Sequence, residues 1–170
     1  MRHLSIFIVL SIWTLSTYSQ TSTLDDRTQV LTGVWHFEKV LDKDGNQVEH
    51  TVKATPGAPF GNTAKIKATG PEMNLNADRT YVLKFNAQNS DSGIWNLVAA
   101  DSLELKLVTL KGSSDFNMLK SAADMFGKKL TYDKVGNIVE RNIRVITDLN
   151  TNELRIQYET DYEMVYSKRK

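Results

Sequence analysis

Few residues of this 170-residue chain have the type and spacing that chemistry needs. Three histidines are present, His3, His36 and His50, and none belongs to a His-x-His or His-Glu-x-x-His pattern that would gather a metal. Cysteine is absent, which excludes thiol catalysis, thiolate zinc sites, redox switching and the lipidated cysteine of a lipoprotein. No serine sits in a Gly-x-Ser-x-Gly elbow, and no glycine-rich loop leads into a helix as a phosphate cradle requires. Asp42, Asp44 and Asn46 could offer oxygens to calcium, but an EF-hand loop needs glycine sixth and glutamate twelfth, and Gly45 is fourth. Asp101, Glu104, Glu159, Asp161 and Glu163 could supply an acid–base pair, yet strand alternation turns most of them outward. No catalytic residue, metal ligand or cofactor is therefore assigned.

What remains is binding chemistry of an apolar kind. Tyr81, Leu83 and Phe85 fall on one face of an alternating segment, as do Trp95 and Leu105 on theirs, Ile143 and Val145, Ile156 and Tyr158, and Tyr162, Met164 and Tyr166. Tyrosine adds a hydroxyl that can orient a ligand, and methionine reshapes readily around one. The same residues could line a cavity or fill it, because barrels of about eight strands do either.

The elements that must position these residues are mostly strands. Period-two alternation runs from Gly33 onward, and the separators carry turn chemistry: Asp42-Lys43-Asp44-Gly45-Asn46, Asn76-Ala77-Asp78, Asn89-Ser90-Asp91-Ser92-Gly93 and Asn150-Thr151-Asn152. Asp133-Lys134-Val135-Gly136-Asn137 repeats the first of these at equal offsets, and two independent hairpins with one turn solution explain the echo. Short strands joined this way predict an all-β fold, an antiparallel up-and-down barrel of about 8–10 strands. Two stretches break the pattern. Leu24 to about Leu31, behind Thr23, predicts a short helical turn, and Phe116, Leu119, Ala123 and Phe126 predict an amphipathic helix over 114–126, capped by Ser114 and stopped by Gly127. Residues 55–61 read as a loop. His36, on the face opposite Trp35, is expected to be solvated.

Residues 1–19 read as a secretory signal: Arg2, an apolar run over 4–15, and small residues at Thr17 and Ser19 before Gln20. The apolar run is too short for a membrane helix, which needs about 20 residues. Without that segment the chain carries 20 basic and 20 acidic side chains, so a nucleic-acid partner has no electrostatic basis. The expected organisation is a signal at 1–19, a lead-in at 20–32 and one barrel domain at 33–168, secreted or periplasmic, with no transmembrane segment after cleavage.

Gly33-Val34-Trp35 matches the Gly-x-Trp element of lipocalins, and Ser92-Gly93-Ile94-Trp95-Asn96-Leu97 and Ile146-Thr147-Asp148-Leu149-Asn150-Thr151-Asn152-Glu153-Leu154 are phrases typical of small secreted lipocalin-like domains of bacteria. The chain thus resembles that family over Gly33 to Lys168. The resemblance implies a barrel with a short helix near its start, an interior that holds a small hydrophobic or amphiphilic molecule without catalysis, and a Trp35 packed across the closed end beneath Lys168 or Arg169. Thr160-Asp161-Tyr162 spells the family's second motif but lies too near the C-terminus to carry its role. The alternative is a cell-envelope interaction module with a filled core, contacting a protein partner through residues 55–61 and the 114–126 helix.

Overall fold

A computed structural model describes residues 24–54 and 63–169; residues 1–19 and the 55–61 loop fall outside the described residues. The chain opens with α1 (Leu24–Leu31), whose first turn carries Asp25 and Asp26, where carboxylates favour the positive end of a helix dipole. The strands follow as β1 (Gly33–Asp42), β2 (Gln47–Val48), β3 (His50–Ala54), β4 (Thr63–Lys67), β5 (Glu72–Leu75), β6 (Thr80–Lys84), β7 (Ser90–Ala99) and β8 (Ser102–Thr109). Helix α2 (Ser114–Phe126) precedes β9 (Ile138–Leu149), β10 (Glu153–Tyr158) and β11 (Tyr162–Lys168).

β5 to β11 pair antiparallel in sequence order, and β1 joins β5 on one side and β11 on the other, so eight strands close into an up-and-down barrel. This is the predicted class, and closure leaves those eight strands without an open edge. β2 adds briefly to β1, and β3–β4 forms a separate hairpin arm, tied back by the Val52 N–H donating to the Tyr162 hydroxyl at 3.3 Å. A bulge between Phe37 and Lys39 interrupts the β1–β11 register.

The Asp-Gly turns behave alike. Asp42 Oδ1 accepts from the backbone N–H groups of Asp44 and Asn46 at 3.0 and 2.8 Å, and Asp133 Oδ1 accepts from those of Val135 and Asn137 at 3.0 and 2.9 Å. Gly45 and Gly136 both have positive φ, 82° and 88°, which the turn requires. One expected turn is displaced: Ser90 to Gly93 belong to β7, and the reversal lies at Phe85–Asn89, where the Phe85 N–H donates to the Asn89 carbonyl at 3.0 Å. The run of small polar residues is strand because Lys84 pairs with Ser90 and Tyr81 with Gly93.

α2 spans the predicted residues, but Ser113 rather than Ser114 is its N-cap, accepting from the Phe116 N–H at 3.1 Å; Gly127 closes it in the left-handed conformation. Its buried residue is Ala123, while Met118, Met125 and Phe126 are exposed. The helix is therefore a surface element of the β8–β9 connection, at the barrel end opposite α1. Among the described residues no helix is long and apolar enough to cross a membrane.

Candidate functional site: the barrel interior

One end of the barrel is sealed from the sequence upward. Leu31, the last residue of α1, is fully buried, and the Trp35 indole N–H donates to its carbonyl at 2.7 Å. Lys168 Nζ lies 4.9 Å from the Trp35 ring centroid and donates to the Val30 carbonyl at 2.6 Å, so Lys168, not Arg169, covers this tryptophan. Burial lowers the Lys168 ammonium's pKa from its ordinary value. A second pair repeats the device: Arg79 stacks 4.8 Å from the Trp95 ring centroid and reaches Thr28 Oγ1 at 3.5 Å, while the Trp95 indole N–H donates to the Asn76 carbonyl at 3.0 Å. Two cation–π pairs thus fasten α1 across the barrel floor. The sequence resemblance implied the first pair; the second had no signal beyond the Trp95 phrase.

Above this floor the interior opens toward the other end. An apolar chamber of about 340 Å3 is walled by Met73 on β5, Leu83 on β6, Leu105 on β8, Ile156 and Tyr158 on β10, and Met164 and Tyr166 on β11, with Phe85 and the 69–71 segment at its rim. A second, more open and more polar chamber of about 530 Å3 adjoins it. Leu83, Phe85, Leu105 and Arg144 border both. Tyr81 and Leu107 contribute apolar wall to the second chamber, Asp91, Glu140 and Asn142 contribute polar wall, and Lys129 to Thr131, just beyond α2, close one side. Neither chamber is lined by α2 itself, so that helix does not cover the opening.

Most of the expected lining residues meet here. Tyr81, Leu83, Phe85, Leu105, Ile156, Tyr158, Met164 and Tyr166 all border one chamber or both, though Phe85 is half exposed at the rim. Four do not. Trp95 is fully buried in the core that fills the floor, beside Trp35 and Leu31. Tyr162 lies in an outer crevice with Arg155 and Gln157, where its hydroxyl anchors the hairpin arm. Ile143 and Val145 are on the outside of the barrel, 56% and 40% exposed. Their expected inward placement is overturned because Leu103, buried in the core, pairs directly with Arg144, and residues paired across strands share a face. Arg144, Asn142 and Glu140 therefore point inward. The parity was legible in Ile138 and Ile146, the buried residues of β9, both of which share Arg144's face.

Electrostatics inside differ from wall to wall. Burial pushes the Tyr166 hydroxyl up to about 12, opposed by the nearby charge of Arg144, and that hydroxyl donates only to Met164 Sδ at 3.3 Å. Burial and then the charges of Asp91 and Glu140 raise Tyr81. On the outer wall, Glu104 is 1% exposed and is held by Arg141 Nε at 2.6 Å, by Arg141 Nη2 and by Lys106 Nζ at 3.1 Å. His36 also faces outward, with Nδ1 3.0 Å from Glu72 Oε2. Among the described residues, no three His, Cys, Asp or Glu side chains converge to hold a metal ion.

An eight-stranded up-and-down barrel, sealed by a helix at one end and hollow toward the other, defines a lipocalin-like fold. No family model matches the chain, and no curated protein does. Among solved structures, the chain is similar to a lipocalin-like protein from Bacteroides uniformis ATCC 8492, at 14% identity over 82% of this chain and 99% of that one, with a TM-score of 0.41. It is similar also to an uncharacterized protein from Bacteroides eggerthii DSM 20697, at 15% identity over 81% and 98%, with the same TM-score of 0.41.

Proposed function

We propose that this protein is a secreted or periplasmic carrier that holds one small hydrophobic or amphiphilic molecule inside its barrel without transforming it. One observation carries the reading: the chamber of about 340 Å3 is apolar on most sides and opens to one end. Its size falls within the range of small-molecule sites, roughly 300–1,000 Å3, and its few polar groups suit orientation of a ligand. Trp35 and Trp95 fill the floor, and Met73, Leu105, Ile156 and Tyr166 of the same apolar core wall the chamber above it. Export rests on the layout of residues 1–19 and is checked by N-terminal sequencing of the exported protein, which is expected to begin at Gln20.

The binding test is a titration of the purified protein with cis-parinarate. Saturation at one probe per chain is expected, with affinity at least about tenfold weaker in Leu105→Trp, which thickens the wall common to both chambers. Failure of this probe and of retinoid and fatty-acid competitors to bind would remove the reading.

A second reading, a cell-envelope interaction module, draws on the outward apolar side chains of α2, of which Met125 is 77% exposed. Deleting 114–126 and recovering an unchanged set of envelope partners would count against it.

A further inference from the structure

We infer that the ligand of this barrel is an anionic amphiphile whose carboxylate pairs with Arg144 while its hydrocarbon tail lies in the apolar chamber; this rests on the proposed binding function. Arg144 is half-buried on the inward face of β9 and borders both chambers. Among the described residues no hydrogen bond or ion pair engages its guanidinium. Two other arginines of the barrel wall are paired: Arg141, on the outer face, is held to Glu104, and Arg155 to Glu153. Of these three strand arginines, the inward one has no acid at ion-pair distance among the described residues.

A guanidinium beside apolar walls loses hydration and needs an anion in return. Its planar fork matches a carboxylate with two parallel hydrogen bonds, and exclusion of water by the walls strengthens that pairing. Tyr166 stands within the field of Arg144, and its hydroxyl donates only to a thioether sulfur, a weak acceptor, so it can turn to a carboxylate oxygen. The uneven walls of the two chambers set the direction of the tail, with Asp91 and Glu140 on the polar side. Both line the second chamber, where Lys129 and Arg141 offset them, whereas Arg144 is, among the described residues, the one charged residue bordering the apolar chamber of Met73, Ile156 and Met164, which offers wall to the hydrocarbon.

Calorimetric titration of the purified protein with lauric acid, lauryl alcohol and laurylamine separates head from tail. Laurate is expected to bind about ten- to a hundredfold more tightly than the alcohol, with the amine weakest, as one charge-assisted contact implies. Arg144→Gln is expected to erase the preference for laurate while leaving the alcohol within about twofold, and Arg144→Lys to give an intermediate preference. Equal binding of acid and alcohol by the wild type, or a preference that survives Arg144→Gln, overturns the head-group assignment and leaves the barrel reading standing. Binding of none of the three overturns both. Should Arg144→Gln fail to fold, the three wild-type affinities decide the matter alone.

Discussion

Single residues fix the sealed end and the outer wall of this barrel. Gly33 has φ of 138°, and a Cβ there would lie 2.6 Å from Lys168 Cε, so a side chain would both strain the backbone and displace the lysine above Trp35. Gly33→Ala is therefore expected to cost about 1–3 kcal/mol in urea unfolding, and an unchanged midpoint would count against this account of the floor. Glu104 sets an acid-sensitive contribution. Burial pushes its carboxyl up, but hydrogen bonds and charge from Arg141 and Lys106 outweigh that and hold it below its ordinary value of 4.5. The unfolded chain then binds the proton first as pH falls, so the stabilisation is complete above about pH 4.5 and is lost as pH drops through the lowered folded value. Glu104→Gln should be less stable than wild type at pH 7 and approach it at pH 3 by urea unfolding. Parallel curves at both pH values would contradict the assignment.

At the level of elements, strands were legible wherever one side met a packed core and the other met solvent. Trp35 and Phe37, Leu103 to Leu107, Ile156 and Tyr158, and Met164 and Tyr166 alternate with their neighbours because their inward surroundings are apolar. β9 departs from the expected parity for a physical reason: its inward face borders the more polar chamber, so Glu140, Asn142 and Arg144 sit inside while Ile143 and Val145 stand outside. The Ser90 to Gly93 turn was misplaced because strand pairing overrides turn propensity once Tyr81 and Gly93 are in register. α2 was found from its three-and-four spacing, although that spacing did not reveal how little it buries. Its stability is accordingly local. Ser113→Ala should raise amide exchange along 114–126 by about fivefold, from loss of roughly 1 kcal/mol of capping, with no change in the melting of the barrel. A matching fall in global melting temperature would show that the helix is part of the cooperative core.

For the molecule as a whole, the sequence contained the fold but only part of the site. Eight of the twelve expected lining residues do border the interior, because strand faces carry that information. Arg144, the charged residue that borders both chambers, is hidden in the sequence by the apolar neighbours on either side of it. The resulting picture is a barrel whose floor is packed by Trp35 and Trp95 and whose upper half holds an apolar chamber. Its methionines report on that picture separately. Met73 and Met164 border the chamber, whereas Met118 and Met125 are exposed on α2. Carbon-13 methyl-methionine NMR of the protein titrated with laurate tests the central claim directly. The account predicts saturable shifts of the Met73 and Met164 methyls with those of Met118 and Met125 unmoved; shifts confined to the α2 methionines, or none at all, would contradict it.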